Sequence, residues 1–181
     1  MIQTGTMDDA THPERSKSLS WHDPMIPASA MREMTGLDFI DGLRTGSVPP
    51  PPIFTLMNMK LVSVSSGRAV IECEPDESHY NPLGAVQGGY ACTVLDAAAG
   101  CAVHTTLPAG TGYTSLEIKV SYLRALSTTS GPLTAIGRVI KPGKRVAFAE
   151  AQLTDGEGRV VATASSTLLV FPIPGASTSS D

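Results

Sequence analysis

Residues 88–103 run Gly-Gly-Tyr-Ala-Cys-Thr-Val-Leu-Asp-Ala-Ala-Ala-Gly-Cys-Ala-Val, a stretch rich in alanine and apolar on nearly every side of a helical projection. A helix that is hydrophobic all round is buried rather than laid on a surface, so the rest of the chain must wrap it. One residue breaks the pattern, the carboxylate of Asp96 in the middle of the run. A buried acid needs a partner or a function.

Working outward toward the C-terminus, Thr114, Leu116, Ile118, Val120 and Tyr122 alternate with Ser115, Glu117, Lys119 and Ser121. That period of two predicts a strand whose apolar face, Thr114 included, meets the helix. Strands are predicted at about 133–140, 145–154 and 159–171, joined by Pro142 and Gly143 and by the Asp155-Gly156-Glu157-Gly158 turn, and they should form a meander. Toward the N-terminus, residues 54–64 and 68–74 predict a hairpin closed by Ser65, Ser66 and Gly67, and the prolines of 49–52 favour an extended spacer. A short amphipathic helix precedes them: Thr35 and Asp38 resemble a capping box, Leu37, Ile40 and Leu43 recur at helical spacing, and Gly46 supplies a stop. Residues 1–33 and 172–181 lack apolar periodicity and are expected to be disordered tails. Residues 34–171 are therefore expected to form one α+β domain, a curved antiparallel sheet around a long central helix, with a short helix before it.

Composition narrows the function classes. The 181 residues carry a formal net charge of −4 with Lys and Arg scattered, which leaves no footprint for nucleic acid or an anionic membrane. Cys73, Cys92 and Cys101 follow no metal-ligand spacing, and no basic segment followed by an apolar run opens the chain. A cytoplasmic protein without a metal is the expectation. No apolar stretch approaches the ~20 residues that span a bilayer.

The chemistry is expected around residues 81–96. Gly88 and Gly89 begin the helix, where the first N–H groups lack intrahelical acceptors and the macrodipole is positive, so this terminus can hold an oxyanion. Without a Cβ, a substrate carbonyl can approach the backbone closely, although close packing of the helix would also favour glycine. Gly89 and Asp96 are separated by ~10.5 Å along the axis at 1.5 Å per residue. One carbonyl carbon cannot reach both, so Asp96 is expected to face the helix start of a second subunit in an obligate homodimer.

At this motif the chain resembles the hotdog-fold acyl-CoA thioesterases of the phenylacetate-degradation (PaaI-type) family, whose pattern is Asn-x-x-Gly-x-x-His-Gly-Gly followed by a helical Asp. Asn81, Gly84, Gly88, Gly89 and Asp96 match it, and the likeness extends from about residue 36 to 171. The resemblance implies a hotdog fold and hydrolysis of an acyl-CoA thioester to free acid and coenzyme A, with Asp96 as nucleophile or general base. It implies Gly88 as donor to the thioester oxygen, Gly84 and Gly89 beside the substrate, Asn81 as a positioning group, and a hydroxyl from Thr114 or Ser115 to orient water. It implies no cofactor beyond the coenzyme A of the substrate, and a homodimer that pairs into a homotetramer. The chain departs from the pattern at Gln87, which stands where the family has histidine and cannot titrate. That substitution supports an alternative, a non-catalytic acyl-CoA-binding or regulatory protein.

Arg124, Lys144 and Arg145 are candidates to meet the phosphates of coenzyme A. Cys92 lies four residues before Asp96, but a small thiol on a buried helix is more often packing. Of the histidines, His12 and His22 fall in the first tail, His79 stands near the pocket mouth, and His104 ends the helix, so no triad is expected.

Overall fold

Burial of the alanine-rich segment sets the architecture. The computed structural model describes residues 13–174, running through α1 (Met25–Glu33), α2 (Gly36–Thr45), α3 (Pro52–Leu56), β1 (Met59–Ser65), β2 (Arg68–Cys73), a 3-10 turn (Glu77–His79), α4 (Gly88–His104), β3 (Thr111–Tyr122), β4 (Leu133–Lys141), β5 (Val146–Thr154) and β6 (Val160–Pro172). The strands form one antiparallel sheet in the order β1-β2-β4-β5-β6-β3, and α4 lies across it, chiefly against β4 and β5. This is the hotdog fold, and β4, β5 and β6 form the expected meander.

Small residues let α4 sit down on the sheet. A Cβ at Gly137 of β4 would lie 2.0 Å from the carbonyl oxygen of Ala98, so only glycine admits the helix backbone there. Ala98, Ala99 and Ala102 are fully buried on the same helix. Ile71, Leu95, Leu133, Leu153 and Leu168 complete the centre of the core, each stabilising the fold by about 1.5–3 kcal/mol through burial.

Four local expectations are corrected. Residues 25–33, taken as tail, form α1, and Ala30, Met31 and Met34 pack against the core; three scattered apolar contacts suffice to dock a helix without a marked stripe. Of the predicted tails, residues 1–12 and 175–181 lie outside the described residues. Residues 52–56 form α3 rather than the end of a spacer and the start of a strand, because proline at the first helical position presets φ and loses no hydrogen bond. In α2, Phe39 and Ile40 are buried while Leu37 is exposed, although Thr35 caps the helix by accepting from the Asp38 N–H and Gly46 ends it at φ 83° as expected.

The fourth correction bears on the site. β3 pairs Ser115 with Leu168 and then Glu117 with Thr167, which leaves Leu116 as the extra residue of a β-bulge. Side-chain parity flips at that point. Tyr113 and Ser115 face α4 before the bulge, Ile118 and Val120 pack on the core after it, and Thr114 and Leu116 are exposed. Strict alternation, which put Thr114 toward the helix, fails for this reason.

Candidate active site

Asp96 projects from the middle of α4, and the bulge in β3 delivers Ser115 to it. The Ser115 hydroxyl donates a 2.7 Å hydrogen bond to Asp96 Oδ1. Of the two hydroxyls considered, Ser115 therefore meets the carboxylate, and Thr114 lines the adjoining cleft with its side chain turned outward.

Two cavities meet at Asp96. One is a cleft of about 490 Å³ formed with Met31, Gly112, Thr114, Ser115 and Phe171. The other is an apolar pocket of about 390 Å³ between α1, α2, α3 and α4, walled by Phe39, Ile40, Leu43, Phe54 and Met59. Met31 and Tyr113 border both. Neither was singled out from the sequence: Met31 fell in the presumed tail, and Tyr113 lies on the parity that the bulge reverses. A carboxylate at the junction of a cleft that carries the Thr114 and Ser115 hydroxyls and a more apolar pocket can act on a substrate that enters by one and rests its apolar part in the other.

The start of α4 forms a separate cleft of about 390 Å³, lined by Asn81, Gln87, Gly88, Tyr122 and Arg124. Asn81 Oδ1 accepts from the N–H groups of Leu83 at 2.9 Å and Ala85 at 3.3 Å, so this side chain shapes the loop that leads to the helix. Gly84 turns that loop at φ 73° and is exposed. Gln87 is the N-cap residue, its N–H bonded to the His79 carbonyl at 2.8 Å, but its exposed side chain makes no capping bond. The first N–H groups of α4 are thus left without a side-chain acceptor. Tyr122 donates to the Gly88 carbonyl at 3.0 Å and its ring lies 3.2 Å from where a Gly88 Cβ would stand. At Gly89 the corresponding position meets only the Gln87 side chain, at 3.8 Å.

The cationic candidates divide between the two regions. Arg124 borders the cleft at the start of α4, whereas Lys144 lines another cleft with Phe171, on the Asp96 side, and Arg145 is exposed beside it. His79 uses both ring nitrogens locally: Nδ1 accepts from the Asp76 N–H at 3.0 Å and Nε2 donates to the Leu56 carbonyl at 3.2 Å. It holds the 3-10 turn rather than entering a cleft. Burial, reinforced by the nearby Asp96 carboxylate, pushes the Cys92 thiol up and takes Cys101 to about 12, so neither is a ready thiolate. Among the described residues, no group of His, Cys, Asp and Glu side chains is arranged to hold a metal ion, and no helix is long and apolar enough to cross a membrane.

Comparison with known proteins places these features in a family. Residues 83–162 match the family model of the thioesterase superfamily. A candidate esterase of Saccharolobus solfataricus is 30% identical over 112 residues, covering 62% of this chain and 78% of the relative. Human acyl-coenzyme A thioesterase 13 is 27% identical over 108 residues, covering 59% and 76%. Among solved structures, a phenylacetic acid degradation-related candidate thioesterase of Ralstonia eutropha JMP134 superposes with a TM-score of 0.66 at 26% identity, covering 72% of this chain and 98% of the other.

Proposed function

This chain belongs to the thioesterase superfamily, a family of thioester hydrolases, and from that premise we propose that it cleaves acyl-coenzyme A to a free acid and coenzyme A at sites shared by two copies of the chain. The observation that carries the reading is the Ser115–Asp96 hydrogen bond at the junction of the cleft and the apolar pocket. The acyl group enters the pocket and the thioester carbonyl stands beside Asp96. Asp96 takes a proton from water as the water oxygen adds to the carbonyl carbon, while Ser115 fixes the carboxylate and orients that water. The tetrahedral oxyanion collapses, the C–S bond breaks, and the departing thiolate takes the proton back from Asp96.

The oxyanion donor in this scheme is the Gly88 N–H of the second copy, with Gly89 leaving the approach open. Within one chain the start of α4 and Asp96 border different cavities. Among the described residues the sheet also ends on β3, a twelve-residue strand without a neighbour on its outer side, which carries the exposed Leu116. Pairing two such edges is a common way to cover one. Arg124 of the copy that supplies Gly88, with Lys144 and Arg145 of the copy that supplies Asp96, are the cations offered to the coenzyme A phosphates. Similar proteins support the substrate class: a Listeria monocytogenes relative, 26% identical and covered over 91% of its length, is named 1,4-dihydroxy-2-naphthoyl-CoA hydrolase, and a Streptococcus pneumoniae thioesterase-like structure, 26% identical, is described with coenzyme A.

The test is thiol release from a panel of acyl-CoAs by wild type and Asp96→Asn, beside the mass of the particle in solution. Removing a general base is expected to cost ~10²–10⁴-fold in kcat without altering the assembly. Turnover retained in Asp96→Asn, or an active monomer, overturns the mechanism. Acyl-CoA binding with no turnover by wild type favours the non-catalytic reading that Gln87 suggests.

A further inference from the structure

Asp96 has a hydroxyl neighbour on its own helix that the scheme above does not use. Thr93 stands three residues earlier on α4, ~4.5 Å along the axis, and borders the apolar pocket together with Asp96. It is only half-buried, so water reaches it. Its hydroxyl donates to the Gly89 carbonyl at 2.9 Å, the bond by which a helical threonine commits its proton to the preceding turn. What Oγ1 still offers is lone pairs. Asp96 is divided in a matching way: Oδ1 accepts from Ser115 at 2.7 Å, and Oδ2 has no hydrogen-bond donor among the described residues. Side chains on a helix lean toward its N-terminus, which carries the carboxylate of residue 96 toward the turn of residue 93. Thr93 has no proton left to give Asp96, so the molecule that joins two such acceptors is one that donates twice.

We propose that Thr93 is a further catalytic residue, whose Oγ1 accepts one O–H of the attacking water while Asp96 Oδ2 accepts the other. The inference rests on the thioester-hydrolysis reading above and completes its water site. A nucleophilic water has two protons to place and must keep a lone pair toward the carbonyl carbon. Side chains three residues apart on a helix face are ~5–6 Å apart, which suits two O–H···O bonds of ~2.7–2.8 Å through a single water. As the water oxygen bonds to the carbonyl carbon, one proton passes to Asp96 and later to the departing thiolate. The other stays on the oxygen, held by Thr93, and leaves with the acid product. Ser115 orients the same water through the carboxylate it holds. Cys92, also one turn before Asp96, lies off the pocket lining, and its sulfur is a weak acceptor.

The experiment sets water against methanol, which carries a single O–H. Methanol gives that proton to Asp96 and has none for Thr93, so methyl ester forms without the second acceptor. Acid and methyl ester are measured in aqueous methanol for wild type, Thr93→Val and Thr93→Ser, with the acyl-CoA that wild type turns over fastest. The Val variant keeps the shape and loses the acceptor. Its kcat for hydrolysis is expected to fall about 10-fold at unchanged KM, the scale of one lost hydrogen bond, and its ratio of ester to acid to rise by a similar factor. The Ser variant should keep the wild-type ratio.

A wild-type ratio in Thr93→Val overturns the assignment even where turnover falls, because a loosened helix start or a displaced carboxylate slows both nucleophiles alike. A Ser variant that shifts the ratio as far as Val also overturns it. Thr93→Ala carries the same comparison if the Val variant does not fold, with the same rise expected. These failures leave thioester hydrolysis standing, whereas no thiol release by wild type from any acyl-CoA overturns the assignment together with the proposed function.

Discussion

At its first turn α4 presents Gly88 and Gly89 with no side-chain cap, beside an exposed Gln87 and the Arg124 cleft. Two turns further on the same helix carries Asp96 at the mouth of an apolar pocket, and it ends on the buried His104, whose Nδ1 has no hydrogen-bond partner among the described residues. The first region offers backbone donors to solvent, and the second sets a half-buried carboxylate, held by Ser115, and a buried imidazole along one largely apolar pocket. A single chain keeps them apart, and the pairing of two copies proposed above would bring the open end of each to the enclosed end of the other.

Removing the donor while keeping the helix tests this division most severely. Gly88→Pro deletes one N–H at the first helical position, where proline is tolerated, and Gln87 already has the extended backbone, φ −59° and ψ 136°, that a following proline requires. The Tyr122 ring, 3.2 Å from the added carbon, is exposed and can give way. We expect unchanged thermal stability and a fall of ~10²–10³-fold in kcat, corresponding to the ~2.7–4 kcal/mol of one lost oxyanion donor. A variant that melts normally and turns over normally would show that the open end of α4 takes no part.

The enclosed end should announce itself in acid. The folded chain holds His104 at about 4, below the ordinary 6.5 of an unfolded chain, so between these values the unfolded state binds the extra proton. The associated stability is present in full above about 6.5, declines as the pH falls, and levels off below about 4, a loss of up to about 3 kcal/mol. Asp76 acts lower: burial opposes its ionisation, but hydrogen bonds from Lys17 and Ser78 hold its carboxyl below the usual range. Denaturant midpoints across the pH range check this, and in a folded His104→Leu variant the slope between about 4 and 6.5 should flatten. No change in slope would mean that the imidazole is not buried in solution.

How much of this was legible in the sequence follows from which signals are local. The buried helix and the meander could be read because composition and period two extend over whole elements, and the Asn81-to-Asp96 motif because its residues are contiguous. The bulge at Leu116 was not legible, since one extra residue changes parity without changing composition, and with it went the choice between Thr114 and Ser115. Nor was α1: its pocket-lining Met31 depends on what α2 and α4 present to it. His104 could be seen as the end of the helix, but an unpaired Nδ1 is a property of its neighbours in space.

The bulge itself yields a paired test at the enclosed end. Ser115→Ala removes the 2.7 Å bond to Asp96 and should lower kcat by about 10-fold, the equivalent of one hydrogen bond to a charged group at the low end of its range. Thr114→Ala, one position away with its side chain outward, should change kcat by less than about 2-fold, as surface substitutions usually do. Equal effects from the two would mean that the register of β3 is not the one described here.

The smallest effect is expected at Gln87, where the open end of α4 departs from the histidine of the family pattern. Because the Gln87 side chain is exposed and makes no capping bond, Gln87→His should leave stability within about 0.5 kcal/mol. Its effect on catalysis separates two roles for that position by pH rather than by size. An exposed imidazole titrates near about 6.5. If it protonates the departing thiolate, kcat should rise by a few-fold as the pH falls through that value, a limb that wild type lacks because an amide cannot titrate. If it only positions the helix start, the change should be uniform in pH. A flat profile at wild-type rates would mean that the backbone N–H groups of α4 need no help from the side chain before them, and that the open end works through its glycines alone.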